Sequence, residues 1–353
     1  EIAQCLVGSE MCIRDSMKTT PLLKIAVMVI LLVTVVSCKD KTTTGLSNLA
    51  GSMNEVLVVM DKDLWNGPAG DTVKAWFSQE QLGLPQPEPV MDILNLPLAS
   101  FDKNVKGYRN VLLVRISPKI DSTAIRFKDS PWAKGQKYFE IQAPNETDFV
   151  NVFDANKQSI LDVFMKAEQE RLISVYKKQP NSAVYNLFKD KYHMYVACPG
   201  DYVVNKDIDG FVWISRETRT DGRGIIFFEK EYKDASQFHV QAIVDTVNAE
   251  LKRNIPGPLA NTYMALDTIA PTETKIFNYN GDHYAVMMRG LWTVVNDYMG
   301  GPYVMNVILD AKNNRIDYMM GYVYAPDDKK RNRLQRVEAI LNTVKLDYQE
   351  SGK

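Results

Sequence analysis

The chain has 353 residues, 45% of them hydrophobic and 24% charged, and a formal net charge of −1. This is the composition of a folding globular protein, and it excludes both a disordered chain and one drawn electrostatically to nucleic acid. Three histidines and four scattered cysteines give no zinc-type ligand spacing, and no cofactor motif is present, so no metal and no cofactor is expected.

Residues 1–16 (EIAQCLVGSEMCIRDS) precede Met17 and resemble translated sequencing-adaptor read-through, so they are expected to add nothing to the fold. From Met17 the chain reads as a signal peptide over 17–37. Lys18 and Lys24 supply a basic start, and twelve uncharged residues follow from Ile25 to Val36. That run falls short of the ~20 residues a membrane-spanning helix needs. Val35-Val36-Ser37-Cys38 resembles a bacterial lipobox, which implies cleavage before Cys38 and lipid attachment to it. Residues 38–52 then form a lipidated cysteine and a Gly/Ser/Thr-rich flexible tether. Lys39 after Cys38 argues against inner-membrane retention, so the expected address is the outer membrane, on its periplasmic or surface face. With Cys5 and Cys12 in the upstream segment and Cys38 acylated, Cys198 stands alone and no intramolecular disulfide can form.

Folding is expected to begin with the apolar run Glu55–Asp61, a strand buried on both faces. Asp71 reads as the N-cap of a short helix through Phe77, and the alternate prolines of Leu84–Pro89 demand extended chain. Asn110–Ile116 and Lys137–Gln142 read as further strands. A helix capped by Thr147 or Asp148 runs to about Lys178, and Gln179-Pro180-Asn181-Ser182 closes a first half over 53–180. The second half, 181–353, opens as a meander through Met194–Ala197, Tyr202–Asn205, Phe211–Ser215 and Ile225–Lys230, with a turn at Asp221–Gly224. A helix over Phe238–Lys252 follows, then strands near Thr274–Phe277, Tyr284–Met288, Pro302–Leu309 and Arg315–Tyr324. A last helix opens at Asp327-Asp328. The expected fold is α+β: two mostly antiparallel sheets, each covered by helices on one face, with a shared rhythm that raises the question of a pseudo-repeat.

Four stretches carry a family resemblance. They are NEVLVVMD (54–61) with Leu64-Trp65, GLPQPEP (83–89), FVWISRET (211–218) and RGLWTVVNDYMGGP (289–302). Together they resemble an uncharacterised Bacteroidota lipoprotein family, the domain of unknown function DUF4837, over about 54–345. The resemblance implies an exported, lipid-anchored protein and brings no catalytic residue with it.

Motifs with chemistry are sparse. Cys198 with His193 could form a thiol–imidazole pair, but an offset of five on a strand points them to opposite faces. Ser174-Val175-Tyr176-Lys177 matches S-x-x-K without its partner motifs. His239 and His283 read as capping or solvated residues. Lys329, Lys330, Arg331, Arg333 and Arg336 crowd the last helix, as a solvated face or a surface for anionic headgroups. The best candidate surface is Trp292, Asn296, Asp297, Tyr298 and Tyr303, an aromatic platform with polar tips of the kind that binds sugars or peptides. The expected function is therefore a non-catalytic envelope binding or scaffolding module. Its partners would be the membrane, through the lipid, and an envelope protein, peptide or glycan. The alternative is an envelope hydrolase whose site is dispersed along the chain.

Overall fold

The computed structural model describes residues 48–348; the signal peptide, Cys38 and the tether up to residue 47 lie outside the described residues. The fold is mixed α+β with two sheets. In the first, strands β1 (Glu55–Val59), β2 (Asp92–Leu96), β3 (Asn110–Ile116), β4 (Ala124–Asp129) and β5 (Lys137–Ala143) lie in the order β2-β1-β3-β5-β4. All neighbours run parallel except β4 and β5, which corrects the antiparallel expectation for this half. The reason is the connection after β1. It crosses over through helices α1 (Lys62–Trp65) and α2 (Pro68–Phe77), and such crossovers join parallel strands. Helix α2 begins at Pro68, where a missing N–H is harmless, rather than at Asp71, which sits in its first turn.

Helix α3 (Glu146–Lys178) starts at Asn145, whose side chain accepts the Asp148 N–H at 2.9 Å. Its Phe149, Phe153 and Phe164 pack with Phe77 of α2 on the sheet face built by Val56, Val58, Leu112 and Val114. The alternate residues Leu57, Val59, Val111 and Leu113 face the other way, beneath loop residues such as Phe101 and Trp132.

Pro180 ends α3 but does not open a meander. Asn181 caps a new helix, α4 (Ser182–Tyr192), whose Val184, Phe188 and Tyr192 recur at every fourth position and are buried. The second sheet is antiparallel, as expected. Its strands are β6 (Val203–Ile208), β7 (Phe211–Glu217), β8 (Gly222–Glu231), β10 (Glu273–Tyr279), β11 (His283–Val295), β12 (Gly300–Asp310) and β13 (Arg315–Tyr324). They run in the order β10-β11-β12-β13-β8-β7-β6, with β9 (Tyr263–Leu266) also paired to β11. Helices cover both faces rather than one. Helix α4 and the last helix, α6 (Arg331–Leu341), pack on Val212, Phe227, Val304 and Met319. Helix α5 (Val240–Asn254) packs its Ile243, Val247 and Leu251 on Phe228, Met305 and Tyr318. Strands β12 and β13 are buried almost throughout, so each needs cover above and below. The two sheets differ in strand direction and order, so their common rhythm is not a structural repeat.

Helix α6 also meets the first sheet. Asn54 Nδ2 donates to Asn332 Oδ1 and to Gln335 Oε1, each at 2.6 Å. The basic run at its start is divided: Lys329 and Arg336 are exposed and Arg333 is half-buried, but the other two are buried. Lys330 and Arg331 are 3% and 2% exposed, and Arg331 pairs with Asp92 at 2.6 Å.

Candidate binding pocket

The β7–β8 hairpin turns at Thr218–Asp221, where the Thr218 N–H donates to the Asp221 carbonyl at 2.8 Å. The expected turn glycines, Gly222 and Gly224, therefore lie inside β8. Register sets them opposite two tyrosines of β13, Tyr324 against Gly222 and Tyr322 against Gly224. A Cβ at Gly224 would stand 2.4 Å from the Tyr322 ring, so the missing side chain is what lets that ring lie flat across the strand.

Around these rings a cavity of about 710 Å³ opens at one end of the α5-covered face. Trp213, Trp292, Tyr322 and Tyr324 are aromatic residues of its wall. The Trp213 Nε1–H donates to Tyr322 Oη at 2.9 Å, and the Trp292 Nε1–H to the Val323 carbonyl at 3.1 Å. The polar tips of both tryptophans are thus satisfied inside the protein, and the ring faces are what remains for a ligand. Burial pushes the Tyr322 phenol well up, with the Trp213 hydrogen bond opposing and the Glu217 charge adding. The far wall is Ile255–Pro258 after α5, held by the Gly257 N–H on the Thr262 carbonyl at 2.9 Å. A Cβ at Gly257 would meet Thr262 Oγ1 at 2.3 Å, so this close approach also requires glycine.

Acids and Arg219 ring the mouth. Asp221 is gripped by Arg216 at 3.4 Å and by Arg223 and Arg333 at 3.2 Å each. Burial raises its pKa, yet the Thr218 hydrogen bond and the guanidinium groups outweigh burial and hold it below the usual carboxylate range. Asp328 pairs with Arg333 at 2.5 Å.

Of the five residues singled out in the sequence, Trp292 alone lines this cavity. Tyr303 is 1% exposed and faces the core, and burial raises its phenol to about 12. Asn296, at φ 65, turns the β11–β12 hairpin, and Asp297 and Tyr298 form its tip, with Tyr298 fully exposed. The five form no continuous platform, because neighbours along a strand point to opposite faces and the turn carries the rest away. Trp213, Tyr322 and Tyr324 were missed. The only local signal was aromatic alternation at 322 and 324 against glycine alternation at 222 and 224, and pairing across strands cannot be read from either alone.

The other candidates separate from this cavity. Cys198 is fully buried, and burial, with the Asp201 charge, pushes its thiol far up. His193 caps α4 at φ 55 and lines a different cleft. His283 opens β11 opposite Tyr279, with its Nε2 3.7 Å from Asp282. Ser174 and Lys177 are exposed on α3. Among the described residues no cluster of three or more His, Cys, Asp or Glu is arranged to hold a metal, and no helix is long and apolar enough to cross a membrane.

Residues 181–343 match the family model DUF4837, a domain of unknown function, and residues 50–177 match another, DUF8532, also a domain of unknown function. The resemblance noted over 54–345 is thus divided between two families. No curated protein matches the chain. Among solved structures, a point mutant of the protein Mog1 is 11% identical and covers 44% of this chain and 91% of its own, with a TM-score of 0.28. The Saccharomyces cerevisiae Ran-binding protein Mog1p is 10% identical and covers 44% of this chain and 90% of its own, also with a TM-score of 0.28. Likeness at that score is too loose to establish a common fold.

Proposed function

We propose that this protein is a non-catalytic binding module of the bacterial envelope, tethered to the outer membrane through Cys38. One observation carries the binding reading: a cavity of about 710 Å³ walled by aromatic residues, of which Trp213, Trp292 and Tyr322 have their polar tips bonded internally. Stacking and dispersion are what such a wall offers, and its size suits a peptide segment or a sugar ring. The hydrolase alternative ranks below it. Asp221 is fixed as a carboxylate by three arginines, and the Cys198 thiol is buried and hard to ionise. Neither is poised to move a proton or attack a substrate.

Gly222 supplies the test. A Cβ there would meet Glu217 and Tyr324 at 3.8 Å, ordinary contact, so a side chain can start from this position, and Gly222→Phe is the variant that places a ring at the cavity mouth. Peptide and glycan arrays probed with the parent and this variant should show ligands that only the parent retains. Identical binding profiles would remove the cavity from consideration. The tether has its own test. Cys38→Ala should abolish palmitate labelling, and undiminished label would refute acylation at Cys38. A single myristoyl chain binds membranes with K of only ~10⁴ M⁻¹, so durable anchoring needs several acyl chains.

A further inference from the structure

Charge and ring geometry at this cavity narrow the ligand class, an argument that rests on the binding reading above. The Trp292 ring meets Tyr322 at 77° with centroids 5.7 Å apart, and Tyr324 at 55° with centroids 6.3 Å apart. Trp292 and Tyr322 are packed edge to face and are only 4% and 7% exposed, and the parts of the three rings that reach the cavity present aromatic surface whose faces carry the negative lobe of a quadrupole. Four carboxylates share the lining, Glu217, Asp221, Asp327 and Asp328, against the single cation Arg219. Arginines outside the lining already pair with Asp221 and Asp328. Glu217 and Asp327 make no side-chain hydrogen bond or ion pair among the described residues, and both are exposed at the mouth. Glu217 is near enough to the rings for its charge to act on the Tyr322 hydroxyl.

We infer that the cavity receives an organic cation, an alkylammonium or guanidinium group, seated against its aromatic wall of Trp213, Trp292, Tyr322 and Tyr324 and drawn in by Glu217 and Asp327. An anion would find, among the described residues, one unpaired cation, Arg219, against two unpaired carboxylates and the aromatic wall. A neutral sugar would stack on the rings and leave those carboxylates without a partner. A cation uses both features at once. At about 710 Å³ the cavity also holds the atoms that carry the charge, so a basic side chain presented on a peptide fits it as well as a free quaternary ammonium does.

The test uses the whole protein and measures binding by isothermal titration calorimetry, with the tryptophan fluorescence of Trp213 and Trp292, read over the background of Trp65, Trp76 and Trp132, as a second signal. The probes are a short lysine-containing peptide, its norleucine and glutamate twins, and phenyltrimethylammonium chloride. The lysine peptide should bind about tenfold tighter than the norleucine twin, and the glutamate twin weakest. Glu217→Gln and Asp327→Asn should each erode that preference several-fold and reduce its sensitivity to salt. Binding of the small ammonium alone would assign the cation to a free metabolite, and binding of the lysine peptide alone to a protein partner. Equal binding of all three peptides, lost in Gly222→Phe, would overturn the cation while leaving the cavity as the binding site. No response to any probe, in parent or variant, would overturn both.

Discussion

The Glu88 carboxylate closes the start of helix α6, accepting at 2.6 Å the backbone N–H of Lys330, which lies 242 positions further along the chain. It also accepts the Arg331 N–H at 3.2 Å, and Lys330 itself provides no side-chain cap. The proline-rich segment that reads in sequence only as extended chain thus delivers a buried acid to two orphan donors and to the positive end of a helix. This joins the first sheet to the helix that covers the second.

Glu88→Ala should therefore destabilise the protein by about 2 kcal/mol, the loss of a cap together with two buried donors left unpaired. Urea unfolding measures it. A change within ~0.5 kcal/mol, ordinary for a surface substitution, would show the junction to be dispensable.

Gly224→Ala should lower stability by about 1–3 kcal/mol, because its Cβ would sit 2.4 Å from the Tyr322 ring and drive that ring off its bond to Trp213. Gly222→Ala, whose Cβ finds its nearest neighbours at 3.8 Å, should stay within ~0.5 kcal/mol of the parent. Near-UV circular dichroism should change in the first variant and not in the second.

Asp317 predicts a pH dependence. It is fully buried, and its oxygens accept no hydrogen bond. Burial raises its pKa from 3.8 to about 8, and the Arg315 charge opposes this only in part. Arg315 Nε lies 3.0 Å from both Asp310 and Asp317, while its other nitrogens serve Glu229 and the Tyr192 carbonyl. The folded chain keeps a proton that the unfolded chain releases, so this group's contribution to stability falls as pH rises from 3.8 through about 8. Asp317→Asn should match the parent near pH 4 and become progressively more stable than it toward pH 8. Melting temperatures across that range measure the difference. A gap that stays constant with pH would refute the assignment.

Cys198 should resist alkylation by iodoacetamide at pH 8 in the folded protein and react fully in denaturant, since it is buried and its thiolate is disfavoured. Peptide mass spectrometry separates it from the other cysteines. Rapid labelling of the folded protein would reopen a nucleophilic role.

Local pattern made several elements legible before the structure. Strands β3 and β13 fall where the apolar runs end, and α3 lies within a residue or two of its expected span, because period and caps are properties of adjacent residues. The same logic failed at Pro180, where the end of one helix hid the Asn181 cap of the next. It failed again at Gly222 and Gly224, which turn-forming preference placed in a loop and cross-strand pairing placed in β8. Trp292 was legible as a candidate because the stretch from Gly290 to Tyr303 gathers three aromatic residues with Asn296 and Asp297 in a short span.

By itself the sequence determined the α+β composition, the spans of strands such as β3 and β13, and that Cys198 is the one cysteine among the described residues. Tertiary structure alone decided that the first sheet is mostly parallel, that Tyr322 lies on Gly224 and Tyr324 beside Gly222, and that Glu88 reaches α6. Those facts rest on contacts between residues roughly a hundred or more positions apart, or on the direction of a crossover. Short-range propensity acts over a few residues and carries no information about which distant side chain will fill the space opposite.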